Sequence, residues 1–239
     1  MNRKLAVACI ALFSFGAIAA HADTVTFVGT GSGSDGSLAA NAIVTTSSGQ
    51  VQITLTNTLA ASAFRSAGQA LSDFSFTLGN LTSGPGTLGA TSATGQMGNI
   101  SSTGGVSYTT GSPTRFLGAN GQGALTVTGN TILLEAIGGG QPSEMIAPSV
   151  ANGAIFTSAN QGVQNFDAYV IGPASFTLFL PNVTAATTIT SGSFSFGTGP
   201  DTTIAVTPRS TPAVPEPSSI AQLGTALLGA AGIMKRRLS

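Results

Sequence analysis

The chain has 239 residues, enough for one sizeable domain, and its eight basic and eight acidic side chains give a formal net charge of zero. Only 7% of the residues are charged and 42% are hydrophobic, which disfavours intrinsic disorder because disordered chains combine low hydrophobicity with high net charge. Residues 23–213 include three arginines and no lysine. This segment therefore lacks the basic surface that nucleic-acid binding requires, and we expect no nucleic-acid partner.

The first segment has the three parts of a secretory signal peptide. Arg3-Lys4 is a positive region, residues 5–20 are an apolar stretch, and Ala20 and Ala22 form a small-x-small cleavage pattern. We predict that residues 1–22 form a signal helix that enters the Sec translocon. Signal peptidase would then cut after Ala22.

This cleavage would remove the single cysteine, Cys9, and the single histidine, His21. A mature chain without them has no disulfide framework, no thiol nucleophile, and no histidine for a zinc site or a catalytic triad. We therefore predict a protein that is not an enzyme and that has no cofactor and no metal site.

The body of the chain, residues 23–209, has the period of two that is typical of β-strands. Val51, Ile53 and Leu55, for example, alternate with polar side chains. Predicted strands are 24–28, 41–46, 50–57, 73–78, 87–91, 106–110, 124–128, 131–137, 153–157, 166–171, 174–180, 187–197 and 202–207. This pattern predicts an all-β domain, an antiparallel β-sandwich of jelly-roll or immunoglobulin-like type.

Other parts of the body are less regular. Residues 59–71 are compatible with a short helix, and residues 82–123 with either a long loop region or several short edge strands. Nine phenylalanines are predicted to form the aromatic core: Phe64, Phe74, Phe76, Phe116, Phe156, Phe166, Phe176, Phe194 and Phe196.

The glycine-rich segment 29–36 resembles a phosphate cradle. A dinucleotide site needs a helix after such a segment and a βαβ context, and neither follows here. A turn is the better interpretation.

The acidic side chains offer two kinds of site, and the sequence assembles neither. Calcium takes oxygen ligands, and the aspartates beside strands and turns could supply them. These aspartates are Asp35, Asp73, Asp167 and Asp201. A glycosidase needs two facing carboxylates, for which Glu135 and Glu144 are the candidates. We predict instead that the aspartates are solvated turn residues and that Glu135 faces solvent.

Three sequences, at Asn80, Asn99 and Asn182, fit the Asn-x-Ser/Thr glycosylation pattern. Tyr108 and Tyr169 are predicted at the surface, where a tyrosine ring can stack on sugar. The chain has no tryptophan, so the aromatic signal for a carbohydrate platform is weak.

The last segment begins with a proline-rich linker, residues 210–217, which is predicted to be extended. An uncharged span follows over 218–234. As a helix it would be about 26 Å long, which is barely enough to cross the hydrocarbon core of a bilayer. The basic side chains of Lys235, Arg236 and Arg237 end it and should stay cytoplasmic. We predict that residues 218–239 form a transmembrane helix with a basic tail.

The order of these parts resembles the PEP-CTERM sorting signal. The resemblance covers residues 214–239: the motif Val214-Pro215-Glu216-Pro217, the Leu/Ala/Gly-rich span, and the terminal basic cluster. It implies recognition by an exosortase, an integral-membrane transpeptidase of Gram-negative bacteria. It further implies processing near the motif, a transient hold in the inner membrane, and delivery to the cell surface or extracellular matrix.

Together these features predict an exported protein with a structural or adhesive role in an exopolysaccharide or biofilm context. A lectin-like module that binds exopolysaccharide is the first alternative. A carboxylate-dependent hydrolase that uses Glu135 is the second.

Overall fold

The structure, a computed structural model, describes residues 23–199 and 202–210. This part of the chain consists of β-strands joined by turns and short 3₁₀ segments, so the all-β prediction is confirmed. The strands in chain order are β1 (Asp23–Gly33), β2 (Gly36–Ser47), β3 (Gln50–Asn57), β4 (Leu71–Gly79), β5 (Thr91–Ile100), β6 (Val106–Thr109), β7 (Ala124–Thr128), β8 (Thr131–Glu135), β9 (Ile146–Ala147), β10 (Tyr169–Phe179), β11 (Thr188–Phe196), β12 (Thr202–Val206) and β13 (Arg209–Ser210).

The strands pair in two runs. One run has the order β12-β11-β4-β8-β7, and the other has the order β13-β1-β2-β3-β10-β5-β6. The short strand β9 lies between β4 and β10 and joins the runs into one hydrogen-bonded network. Its pairing with β10 is parallel, whereas the other pairings between these strands are antiparallel.

The inward side chains of the two runs form one core. On β3, Val51, Ile53 and Leu55 are buried while the residues between them are partly or fully exposed. Phe27 of β1 meets Phe74 of β4 edge to face, with ring centroids 5.5 Å apart. Burial of each such ring stabilises the fold by about 1.5–3 kcal/mol.

Eight of the nine predicted core aromatics are buried, and Phe166 is partly buried against the core. Phe27, which the core prediction omitted, is fully buried. A carbon added at Gly29, two residues along the same strand, would lie 2.7 Å from the Phe194 ring. Strand β1 therefore continues through the glycines because the opposite layer leaves no room for larger side chains.

Four predicted strands differ from the structure in more than their ends. The strand predicted at 87–91 is wrong, and β5 runs instead from Thr91 to Ile100. Residues 153–157 hold a turn and a single bridge between Gly105 and Ile155 in place of a strand, although Phe156 is buried. The predicted strands 166–171 and 174–180 form the single strand β10, whose register with β5 shifts between Val170 and Ala174.

The short helix suggested for 59–71 is replaced by two 3₁₀ segments, Ala61–Ala63 and Ala67–Gln69, after which β4 begins at Leu71. Between 82 and 123, neither alternative describes the structure fully: of its two strands, β6 is a short edge strand, whereas β5 has ten residues and is paired on both sides. Strands β5 and β6 lie there at the end of the second run.

Candidate functional site

The predicted processing signals lie outside the described residues. These are Ala20 and Ala22 at the signal cleavage site, Val214, Pro215, Glu216 and Pro217 in the sorting motif, and Lys235, Arg236 and Arg237 in the basic tail. Asp201 also lies outside them. Within residues 23–199 and 202–210, no helix has the length and apolar character needed to span a membrane.

The glycine-rich segment 29–36 forms no phosphate cradle. Residues up to Gly33 belong to β1, and the tight turn to β2 occupies only 34–35. A carbon at Gly31 would lie 2.8 Å from Ile204 of β12. These glycines therefore permit close packing of strands.

One extended polar feature is the outward side of β1, β2, β3, β10 and β5, which we call the hydroxyl face. Strand register places its side chains in rungs that cross the sheet. The first two rungs contain, in strand order, Thr24, Thr45, Gln52, Thr177 and Ser92, and then Thr26, Ile43, Thr54, Ser175 and Thr94.

The hydroxyl face is partly or fully exposed along both rungs. Neighbouring hydroxyls contact each other across strands: Thr24 and Thr45 through their Oγ1 atoms at 3.1 Å, and Thr54 Oγ1 and Ser175 Oγ at 3.1 Å. Five strands spaced by about 4.8 Å span roughly 19 Å, and successive rungs lie about 7 Å apart along the strands. The buried inward side chains of the same strands hold these hydroxyl groups at fixed positions.

The two rungs contain no charged side chain between β1 and β5, and the exposed Arg209 on β13 lies opposite Thr26, at the end of the second rung. Each serine or threonine hydroxyl supplies one donor and two acceptor lone pairs. The face can therefore form many hydrogen bonds to a neutral, hydroxyl-rich ligand without burying a charge.

A second feature is the acid pair, which consists of Asp73 on β4 and Glu135 on β8. The two residues lie directly opposite each other in the antiparallel pairing. Asp73 is only 6% exposed and its Oδ1 has no hydrogen-bond partner, while Ser72 Oγ lies 3.3 Å from its Oδ2. Burial, and next the charge of Glu135, raise the pKa of Asp73 to about 7, and burial also raises the pKa of Glu135.

The acid pair corrects the prediction for Asp73, which is a buried strand residue instead of a solvated turn residue. Glu135 lies opposite it on the outward side of the sheet and is partly exposed. The expected partner of Glu135, Glu144, accepts a hydrogen bond from the backbone N–H of Arg115 at 2.7 Å. Burial raises the pKa of Glu144.

Arg115 is buried, and its side chain holds the turn after β8. Its guanidinium donates to the carbonyl of Ala136 and, at 2.8 Å, to the carbonyl of Gly138. Further contacts reach Gln122 Oε1 at 2.8 Å and Ser143 Oγ at 3.1 Å. These four hydrogen bonds within the fold indicate a structural role for the arginine.

The two tyrosines have different environments. Tyr169 is fully buried and donates its hydroxyl hydrogen to the Val163 carbonyl at 3.0 Å, so its predicted surface position is wrong. Tyr108 is 36% exposed and donates to the Val150 carbonyl at 2.5 Å. The asparagines of the three glycosylation patterns, Asn80, Asn99 and Asn182, are exposed.

A third feature is a groove of about 280 Å³, which lies between the β1–β2 turn and the segments before β4, before β10 and after β11. Its lining includes Asp35, Ser66, Gly68, Asn165, Phe166 and Gly197. Asp35 therefore lies in a concave site, which the sequence did not indicate. Within the described part of the chain, no group of three or more histidine, cysteine or acidic side chains is placed to hold a metal ion.

Comparison of the chain with models of protein families, with curated proteins and with solved structures found no match.

Proposed function

We propose that the chain is an exported, exosortase-processed protein of the cell surface or extracellular matrix of a Gram-negative bacterium, with an adhesive or structural role among exopolysaccharides. The terminal sequence signals support the export and processing. The hydroxyl face is the observation that carries the adhesive role. The proposed partners are the Sec translocon, signal peptidase, exosortase, the inner membrane during processing, and exopolysaccharide.

We also propose that the β domain is a sandwich of the jelly-roll or immunoglobulin-like type. The two runs of strands and the contact of Phe27 with Phe74 support this classification. Such a domain presents whole sheet faces to solvent, and a sheet face suits a ligand that is itself extended.

Adhesion through the hydroxyl face follows from its chemistry. A polysaccharide offers hydroxyl donors and acceptors along its whole length, and the rungs offer the same groups at fixed spacing. Each net hydrogen bond contributes about 0.5–1.5 kcal/mol, so several weak bonds along one polymer give useful affinity. The outward side of the other run carries the acid pair, which makes it less suited to a neutral polymer.

The test is retention of the purified full chain on the exopolysaccharide of its own host. A triple variant, Thr54→Val, Thr94→Val and Thr177→Val, removes hydroxyls from three adjacent strands while keeping side-chain volume and β propensity. The matched control removes hydroxyls from the other run, with Thr126→Val, Thr128→Val and Thr131→Val.

We expect the hydroxyl-face triple to weaken retention by at least about tenfold and the control to retain binding. Equal retention of both variants, or no retention of the parent chain, would contradict adhesion through this face. The export part is tested separately by the intact mass of the mature protein with and without exosortase. An unchanged carboxyl terminus would refute the sorting proposal.

A further inference from the structure

We infer that the groove beside Asp35 is a binding site for an amino sugar, a hydroxylated ring that carries a free ammonium group. This inference extends the proposed adhesive function, because it names a second and chemically different kind of sugar contact. It rests on the shape of the groove, the one charged side chain among its described lining residues, and the polar and aromatic groups that line it with that side chain.

The floor of the groove is kept open by glycine. A carbon added at Gly68 would lie 2.0 Å from Asp35 Oδ2, so the carboxylate sits where a side chain would otherwise be. Gly197 has φ +95°, a conformation that favours glycine, and a carbon added there would lie 3.5 Å from the Gly68 Cα. Gly68 thus lies close both to the Asp35 carboxylate and to the backbone of Gly197, and a larger side chain at Gly68 would collide with the carboxylate.

The charge of the groove selects a cation. Among its lining residues in the described part of the chain, Asp35 is the only charged one. No hydrogen bond within the described residues reaches its carboxylate, whereas the nearby Ser66 Oγ already accepts from the Gly68 N–H at 3.1 Å. An ammonium group on a ligand would supply the donors that this carboxylate lacks.

The remaining lining fits a sugar ring. The Asn165 side chain is exposed and has no hydrogen bond within the described residues, so its amide is free to pair with ring hydroxyls. Half-buried Phe166 supplies an apolar surface for the C–H side of the ring. A volume of about 280 Å³ is close to the lower end of small-molecule sites, which begin at roughly 300 Å³.

The inference is tested by NMR-monitored titration of the purified full chain with glucosamine and, separately, with glucose. We expect glucosamine to bind about threefold more tightly, the contribution of a solvent-exposed ion pair, and this preference to decrease at high salt. Asp35→Asn should abolish the preference, and Asp23→Asn should preserve it as the matched control. Gly68→Ala should also weaken glucosamine binding, because the added carbon displaces the carboxylate.

Equal affinity for the two sugars, or no binding of either, would overturn the inference. So would a glucosamine preference that survives Asp35→Asn, or one that appears only when Ca²⁺ is added. The hydroxyl-face triple variant should bind glucosamine as the parent chain does. A failure of the groove proposal can therefore be distinguished from a failure of adhesion through the hydroxyl face.

Discussion

The acid pair predicts that the fold loses stability as pH rises from about 4 to about 7. The pKa of Asp73 moves from an ordinary value of 3.8 to about 7, chiefly because the carboxyl group is buried and next because Glu135 is adjacent. Each pKa unit corresponds to about 1.4 kcal/mol, so the shift of about three units is equivalent to about 4 kcal/mol. That is a large share of the roughly 5–15 kcal/mol that stabilises a typical domain.

The sign follows from which state holds the proton. The folded chain keeps Asp73 protonated up to about pH 7, whereas the unfolded chain releases the proton near pH 3.8. The stabilisation is therefore fully present below pH 3.8 and is lost as pH rises through about 7. The raised pKa of Glu135 acts in the same direction.

The variant Asp73→Asn keeps the shape of the side chain and removes its titration. At pH 8 it should be more stable than the parent chain by about 3 kcal/mol, which is the titration energy less about 1 kcal/mol for burying an amide with incomplete hydrogen bonding. At pH 4 the difference should disappear or reverse.

The assay is urea unfolding between pH 4 and 9, followed by far-UV circular dichroism because the chain has no tryptophan. Asp35→Asn is the exposed control and should keep the pH profile of the parent chain. Parallel profiles for the parent chain and Asp73→Asn would refute the assignment of the pH dependence to this carboxyl group.

Three further substitutions test the packing. Phe74→Ala should lower the free energy of unfolding by about 3–5 kcal/mol in the same urea assay, because it empties a fully buried ring site; a loss below 1 kcal/mol would contradict the core position. Gly29→Ala should cost about 1–3 kcal/mol through the contact with Phe194, and a neutral result would show that the layers can separate. Arg115→Ala should cost about 3 kcal/mol by leaving buried carbonyls unpaired, whereas exposed Arg65→Ala should change stability by less than about 0.5 kcal/mol; equal effects would contradict the structural role.

Much of the strand content could be predicted because the apolar residues that alternate along the sequence are the ones that are buried in the structure. Strand β3 was predicted at 50–57 and β7 at 124–128, and the structure has the same bounds. Strand β5 was missed because its inward positions include Ala93 and Gly95, which carry little apolar signal. Gly95 is there for a steric reason, since an added carbon would lie 2.9 Å from Val170.

The sites could not be predicted because they depend on register between distant strands. Nothing near Asp73 in the sequence indicates that Glu135 lies opposite it, and pairing alone brings the two together. The hydroxyl face likewise exists only once five strands are aligned. Tyr169 was predicted at the surface, but it is buried, because its hydroxyl hydrogen is donated inside the fold to the Val163 carbonyl.

The pairing of β1 with β13 has a mechanical consequence. The start of β1 and the end of the described chain lie side by side, with Val25 opposite Ser210 and Thr26 opposite Arg209. A force that pulls the carboxyl end away from this edge acts on the two residue pairs between β1 and β13 one after the other. The eleven residue pairs between β1 and β2 bear no load at this stage. When force is applied at that end, we expect β13 to detach from β1 at low force. The detached residues then extend before force is transmitted to the core.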